Sequence, residues 1–506
     1  RMPALMNAGI RSIINGPITY TIDGAPLVGK IPGKENAFCI IGLRAGLGEG
    51  GGHGWLLAQQ IVHGEACYDT WCLDPRRFTS HTNVEMTSLK AIEDYQNEFR
   101  FHFPHEHRPA ARHAKTTPLT PIMANQNAEF TVINGWERVE YIKPSEDFRP
   151  SLSFHFDATF EIVANEVTNV QNNVGLTEVN GFNRFEIIGS DANSFVDRMF
   201  CGNVTHKSGR VGLGYLLNEL GKIKSEATIS NIPASDRGPK RIWYGSAAAS
   251  EFHDMDWLQQ HIKIDENVEI KSLTNDQTIL LLAGPKAREV ISKCSREDWS
   301  KEAFPWLSVR ECFIGFSAAT VMSVSFSGEL AYEVHVPNES LYAAYLTLSK
   351  AGEEFGMMLF GSRAVESMRM EKGFLAWKSD LLTEFDPFET GLDRFVNLNK
   401  DNFIGKDALQ NRIKNSQKQK LVCLNVACKH APAYGGASLM EDGNVIGTIT
   451  SGEWGHRVNL NLAYAFVNTE KSKVGTQMHL DLLGEMVSVE VIPFGPYDES
   501  YSRILA

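Results

Sequence analysis

A carboxylate set among the apolar residues of a strand can do acid–base chemistry, and Glu226 is such a group. The segment Gly214–Ser230 reads as a strand, a turn at Asn218–Gly221 and a second strand, with Glu226 among Ile223, Ala227 and Ile229. There it either faces solvent on the alternate face or is buried with a partner. If buried, it must be paired or hold its proton above the usual carboxylate range, which makes it a candidate general acid/base. A second hairpin-like unit, Ser323–Val336, carries Glu329 directly after Gly328. An acid in a glycine turn can accept two N–H bonds from the edge of one heterocycle, and it can equally be an ordinary turn acid. Gly361–Gly373 predicts a helix with Ala364, Val365 and Met368 on one face and Gly373 as its stop. Arg369 adjoins that face, so it must find an acid partner or a ligand, while Arg363 and Glu366 can be solvated.

The segment Gly42–Gly54 holds seven glycines in thirteen residues. It follows a strand-like run, Ala37–Ile41, and precedes Trp55–His63, which reads as a helix stopped by Gly64. Strand, glycine loop and helix start let backbone N–H groups approach a phosphate or an anionic ring edge. Gly46, Gly48 and Gly51 spell G-x-G-x-x-G. The dinucleotide fingerprint also needs a second parallel strand ending in an acid about 20 residues on, whereas His63–Phe78 is polar and loop-like. The four histidines 102, 105, 107 and 113 lie in a polar stretch, 79–130, and fit no standard metal-ligand spacing. A loop or solvated connector, with no metal, is expected there.

The elements that must position these residues need more than one core. At 506 residues, with 43% hydrophobic and 22% charged residues, the chain is ordinary globular material of roughly two to four domains. No apolar run approaches the ~18 residues of a membrane span. A net charge of −12 argues against a general nucleic-acid binder but leaves room for a local basic pocket. The eight cysteines are scattered without a C-x-x-C pair, which suits a reducing compartment and idle thiols. Arg1–Ile10 lacks the apolar core of a signal peptide and reads as the middle of a helix. Asn15–Gly29 predicts a hairpin about Asp23-Gly24, so a domain begins before residue 1. Residues 131–400 alternate strand and helix patterns, an α+β signature. Arg184–Gly189 is one such strand and Asp191–Phe200 one such helix, with Asp191 as N-cap. From Lys418 onward, short strands such as Lys420–Val426 and Met478–Leu483, with turns at Glu441–Asn444 and Gly484-Glu485, predict a small β-barrel or sandwich. Lys414–Lys420 reads as the linker before it.

Ordered blocks carry a specific resemblance. Ser367–Gly373, Trp377–Leu381, Asp386–Leu392 and Asn402–Leu409 occur in this order, together with Gly135–Arg138, Phe326–Leu330, Thr450–Gly455 and Asp74–Phe78. The chain closely resembles the C-terminal part of the dimethylglycine dehydrogenase/sarcosine dehydrogenase family. The resemblance implies an α+β multidomain chain: the end of an FAD-dependent amine oxidase domain (1–65), a connecting segment (66–125), an aminomethyltransferase-like folate domain (126–412) and a C-terminal β-barrel (413–506). It implies oxidative removal of an N-methyl group from an amine, with the one-carbon unit passed to tetrahydrofolate. FAD, an N-methyl amine substrate and an electron acceptor (oxygen or an electron-transfer flavoprotein) come with it, in a mitochondrial matrix or a bacterial cytoplasm. Residue by residue, Glu226 matches the acid near the reacting folate nitrogens, and Tyr215 and Asn218 the strand and turn walling the pocket. Glu329 matches the acid that reads the pterin edge. Arg369 matches an arginine near the pterin or the glutamate tail, with pairing to Glu371 as the alternative. Trp454 falls where an aromatic can stack on the pterin. Gly46, Gly48, Gly50, Gly51, Gly52 and His53 become a closing flavin loop. Glu178 and Arg184 stand where the family often has Asp and Lys. The remaining flavin site is expected upstream of residue 1 or on a separate subunit. A folate-dependent transferase without oxidase activity, or a non-catalytic regulatory subunit of the same architecture, are the alternatives.

Overall fold

Strand segments rich in Ile, Val, Leu and aromatic residues build the centre of the molecule. The computed structural model describes residue 3, residues 6–414 and residues 418–506. In a five-stranded antiparallel sheet the order is Glu269–Ser272, Asn183–Ile188, Arg241–Ser246, Ile223–Ile232 and Val211–Leu217. One face buries Phe185, Ile187, Ala227, Ile229 and Tyr244 against the helices Ala192–Met199 and Glu251–Gln260. A six-stranded sheet runs Val309–Ile314, Ser317–Met322, Ala331–Pro337, Gln277–Ala283, Gly175–Val179 and Met358–Leu359. The helices Ala287–Cys294 and Leu341–Gly352 pack on it, and Thr159–Asn172 lies against the long helix Ser362–Lys372. The expected strand at Arg184–Gly189 and helix at Asp191–Phe200 are both present. The Asp191 side chain does not cap that helix; it accepts the Asn267 N–H at 2.9 Å instead.

The C-terminal strands close into a six-stranded barrel. Its sequence shows why: along Gln477–Leu482, Met478, Leu480 and Leu482 are buried and Gln477, His479 and Asp481 exposed, the period of two that a closed sheet requires. Of the predicted linker, residues 415–417 lie outside the described residues.

The N-terminal quarter departs from expectation in four places. The glycine stretch is not a loop: Gly46–His63 is one α-helix, ended by Gly64 in the left-handed region at φ 80°. The strong helical run Trp55–His63 propagates backward through glycines whose own propensity opposes it. The hairpin forms one segment later than predicted, between Leu27–Lys30 and Phe38–Ile41. Asp23 instead closes a local turn, accepting the Ala25 N–H at 3.1 Å, and pairs with Arg77 at 2.8 Å. Residues 6–10 are not helical, and the connector contains the helix Val84–Asn97, N-capped by Asn83.

Ion pairs fasten this quarter to the five-stranded sheet and its helices. Lys30 and Arg76 both hold Asp256, at 3.2 and 2.8 Å, and Lys224 pairs with Glu65. Lys378 holds Asp69 at 2.6 Å, and Asp69 also accepts the Thr383 N–H and O–H, each at 2.9 Å. Burial alone would raise the Asp69 pKa; Lys378 and the backbone donors outweigh it and hold the carboxylate at about 2. Folding therefore gains from Asp69 above the unfolded value of 3.8 and loses that gain as pH falls toward 2. Asp69→Asn is expected to cost about 2 kcal/mol at pH 7, measured by urea unfolding followed by tryptophan fluorescence. The difference from wild type should shrink between pH 5 and pH 2; a pH-independent difference would contradict the pairing.

Candidate active site

The hairpin predicted around Asn218–Gly221 forms, and its register sets Tyr215 on Val211–Leu217 directly opposite Glu226 on Ile223–Ile232. The Tyr215 hydroxyl donates to Glu226 Oε2 at 2.7 Å. Glu226 is half-buried, so of the two arrangements open to it the strand adopts the one with a partner. Burial pushes its carboxyl up to about 7, against the opposing pull of the Tyr215 hydrogen bond. Burial and the adjacent carboxylate keep Tyr215 protonated, hence a donor. A carboxyl group that titrates near neutrality can both take and return a proton at working pH.

Behind this pair lies a buried network that the sequence did not single out. Asp254 Oδ2 accepts the hydroxyls of Ser225, Tyr244 and Ser250, each at 3.1 Å, and Asp254 Oδ1 lies 2.7 Å from His253 Nδ1. His253 packs against the rings of Trp71 and Trp377, each centroid 5.5 Å away, and the two indoles lie 4.9 Å from each other. Burial, then Lys224, Arg76 and Lys378, hold its pKa well below the usual value, so the ring is neutral. Ser225 precedes Glu226 in the strand, so this network stiffens the backbone that carries the acid.

Glu329 is buried in its glycine turn, where Gly328 has φ 80° and the Lys372 side chain packs against it. Its Oε1 accepts from Arg457 at 2.7 Å and Tyr497 at 2.6 Å, and its Oε2 accepts from Arg503 at 2.7 Å. Arg457 also holds Glu371, so Glu371 is the partner of Arg457 and not of Arg369. Arg369 is fully buried and donates to Asp380 at 2.7 Å, to Ser451 at 2.9 Å, to the Phe374 carbonyl at 3.1 Å and to Glu366. Protein groups thus take both terminal nitrogens of its guanidinium, while Nε is buried without a partner. Asn218 closes the hairpin turn by accepting the Leu220 and Lys222 N–H groups at 3.1 and 3.0 Å. Trp454 is half-buried, its ring set edge-on to Phe156 and Phe160 and its carbonyl accepting from Ser367. Helix Ser362–Lys372 and its partners gather Glu329, Arg369 and Trp454, while Tyr215 and Glu226 meet on the five-stranded sheet.

The histidines of the connector contact acids. His105 and His107 lie 3.1 and 2.6 Å from the two oxygens of Glu140, and His113 lies 3.6 Å from Glu137. In the glycine helix, a Cβ built on Gly46, Gly48, Gly50, Gly51, Gly52 or Gly54 would meet nothing within 4 Å. Each glycine costs about 1 kcal/mol relative to alanine in a helix interior, and no packing among the described residues requires it. His53 Nδ1 is buried nearby without a partner. A helical turn stripped of side chains around its circumference, with an orphaned imidazole nitrogen nearby, fits a planar cofactor that approaches the main chain closely.

Comparison with known proteins places this architecture in a class. Residues 119–400 match the glycine cleavage T-protein (GCVT) N-terminal domain, 419–498 its C-terminal barrel domain, and 63–117 the central domain of an FAD-dependent oxidoreductase. Glycine cleavage aminomethyltransferase T from Bartonella henselae superposes with a TM-score of 0.66 at 20% identity, over 76% of this chain and 98% of that one. The chain belongs to the GCVT-domain family. The chain is 33% identical to mitochondrial dimethylglycine dehydrogenase of Homo sapiens over 97% of its length and 56% of that protein. It is 27% identical to mitochondrial sarcosine dehydrogenase of Mus musculus, over all of this chain and 60% of the other. The mouse mitochondrial pyruvate dehydrogenase phosphatase regulatory subunit is also 27% identical, over 98% of this chain and 57% of that one. The chain thus spans somewhat more than half the length of these relatives.

The raised Glu226 pKa carries a stability signature. Unfolded, the carboxyl ionises near 4.5; folded, it holds its proton to about 7, so stability falls as pH rises between these values. Glu226→Gln should leave stability at pH 4 unchanged and raise it at pH 8 by about 1–3 kcal/mol, read from urea midpoints at the two pH values. An equal change at both would place the shifted proton elsewhere.

Proposed function

We propose that this chain supplies the folate half of an enzyme that oxidatively demethylates an N-methylated glycine of the dimethylglycine or sarcosine type and passes the one-carbon unit to tetrahydrofolate, giving 5,10-methylenetetrahydrofolate. The Tyr215–Glu226 pair carries the proposal, being a neutral-range acid/base on a sheet of the aminomethyltransferase fold. When bound, FAD would supply the hydride acceptor that turns the N-methyl amine into an iminium ion. The side-chain-free stretch of Gly46, Gly48, Gly50, Gly51 and Gly52, with His53, is where this chain would meet it.

Glu226 then acts on the folate nitrogens. As one nitrogen attacks the iminium carbon, a C–N bond forms and the nitrogen loses its proton to the carboxylate. As the second nitrogen closes the five-membered ring, the amine leaves with that proton, and the second nitrogen's own proton is released to solvent, which balances the charge of the iminium ion. One group performs both transfers because its pKa lies near the working pH. Tyr215 holds the carboxylate by its free O–H and steadies the ionised form. Asn218 contributes by fixing the turn between the two strands. Electrons leave to oxygen or an electron-transfer flavoprotein, in a mitochondrial matrix or bacterial cytoplasm. The match of residues 63–117 to an FAD-dependent oxidoreductase domain favours this over folate transfer without oxidation and over a non-catalytic regulatory subunit.

Calorimetric titration of wild type with tetrahydrofolate should show binding; its absence far above micromolar concentrations sinks the folate half. In the flavin-containing protein, Glu226→Gln should leave amine oxidation intact while methylenetetrahydrofolate formation falls about 10²-fold and formaldehyde appears instead. Unchanged product partition would remove Glu226 from the chemistry.

A further inference from the structure

The strand that carries Glu226 is irregular just before the acid. Leu216 lies opposite Ser225 and Leu217 opposite Ile223, so Lys224 is one residue too many for the ladder, a β-bulge. A bulge bends its strand and re-aims the side chains beside it, and Glu226 stands two residues on. The conformation of Lys224 therefore sets where the Glu226 carboxyl points. A residue outside the regular ladder needs other contacts to hold one conformation, and Lys224 has them at both ends. Its ammonium pairs with Glu65 and lies 4.9 Å from the Trp257 ring centroid, with the side chain only 4% exposed. Its carbonyl accepts the indole N–H of Trp377 at 3.3 Å.

Both contacts lead to one segment. Glu65 belongs to the stretch 63–117 that matches the oxidoreductase central domain, whereas Lys224, Glu226 and Trp377 belong to the GCVT domain. Trp377 packs against Trp71 of that stretch, centroids 4.9 Å apart. The next residue, Lys378, is held by Asp69 at 2.6 Å, and the Asp69 N–H donates to Glu384 at 3.1 Å. Glu65–Trp71 thus grips the bulge by its side chain and, through Trp377, by its carbonyl. Without Glu65, a buried ammonium loses its carboxylate and must move or draw the backbone with it. On the folate function proposed above, on which this rests, we infer that Glu65 and Trp377 are positioning residues for the one-carbon transfer, acting through the Lys224 bulge that aims Glu226. The oxidoreductase segment thereby orients the acid of the folate half, and loosening it weakens one-carbon capture without altering amine oxidation.

In the flavin-containing protein, amine oxidation is read from flavin bleaching, tetrahydrofolate affinity from calorimetric titration, and capture from methylenetetrahydrofolate against formaldehyde. Glu65→Gln should lower methylenetetrahydrofolate formation about tenfold, as a displaced catalytic group does, with amine oxidation and tetrahydrofolate affinity within twofold of wild type. Trp377→Phe, which removes the indole N–H and keeps an aromatic ring, should lower it about threefold and decides alone if Glu65→Gln fails to fold. A double variant separates positioning from general damage. Because Glu65 acts through Glu226, adding Glu65→Gln to Glu226→Gln should deepen the loss by less than about twofold. Product partition within twofold of wild type in either single variant, a parallel loss of amine oxidation, or multiplied losses in the double variant overturns the inference and leaves the folate function standing. Failure of wild type to bind tetrahydrofolate overturns both.

Discussion

Buried charge must be neutralised by a partner, and in this chain the partners come from distant segments. Arg457, on the barrel, is fully buried between Glu371 of the long helix and Glu329 of the six-stranded sheet's glycine turn. Arg369 is equally buried against Asp380, and Thr450 and Ser451 of the barrel donate to the same aspartate at 2.6 and 2.7 Å. Removing one member of such a set leaves an uncompensated charge, at a cost of about 3–5 kcal/mol. The barrel, the helix and the sheet therefore hold one relative placement or lose several pairs together.

The C-terminal segment belongs to the same lock. Tyr497 and Arg503 reach Glu329 from the end of the chain, and Lys372 pairs with Asp498 at 3.2 Å and lies over the Tyr501 ring. Glu329 is thereby a hub with donors on both oxygens. A pterin edge would have to share or displace them. Of these donors Arg503 is the most readily exchanged, since its side chain is 34% exposed whereas Arg457 is fully enclosed.

Local pattern reveals local structure. The Glu226 hairpin and the barrel strands were legible because alternation of apolar and polar residues is a property of neighbours in sequence. The glycine helix was not, because glycine propensity argues for a loop and the helix is driven by the apolar run that follows it. The hairpin of the N-terminal quarter slipped by one segment because Asp23-Gly24, a strong turn signal, is used for a side-chain-closed turn with Arg77, 54 residues away. Partners of charged residues were the least legible. Arg503 is 174 residues from Glu329, and Arg457 is 86 from Glu371. Nothing in a linear pattern assigned Arg369 to Asp380 rather than to Glu371, two residues along the same helix.

The two halves differ in how completely their polar groups are satisfied, and the difference follows function. Around Asp254 the network is closed by protein hydroxyls and an imidazole, which suits a scaffold. Along the glycine helix it is open: main chain without side chains, beside the buried and unpartnered His53 Nδ1. That opening costs folding free energy that the chain's own packing does not return. A protein only marginally stable retains such a cost where a ligand offsets it, in keeping with the flavin contact proposed for this helix. Glu226 lies between these extremes, tied by one hydrogen bond and otherwise unpaired, as a group that must exchange a proton requires.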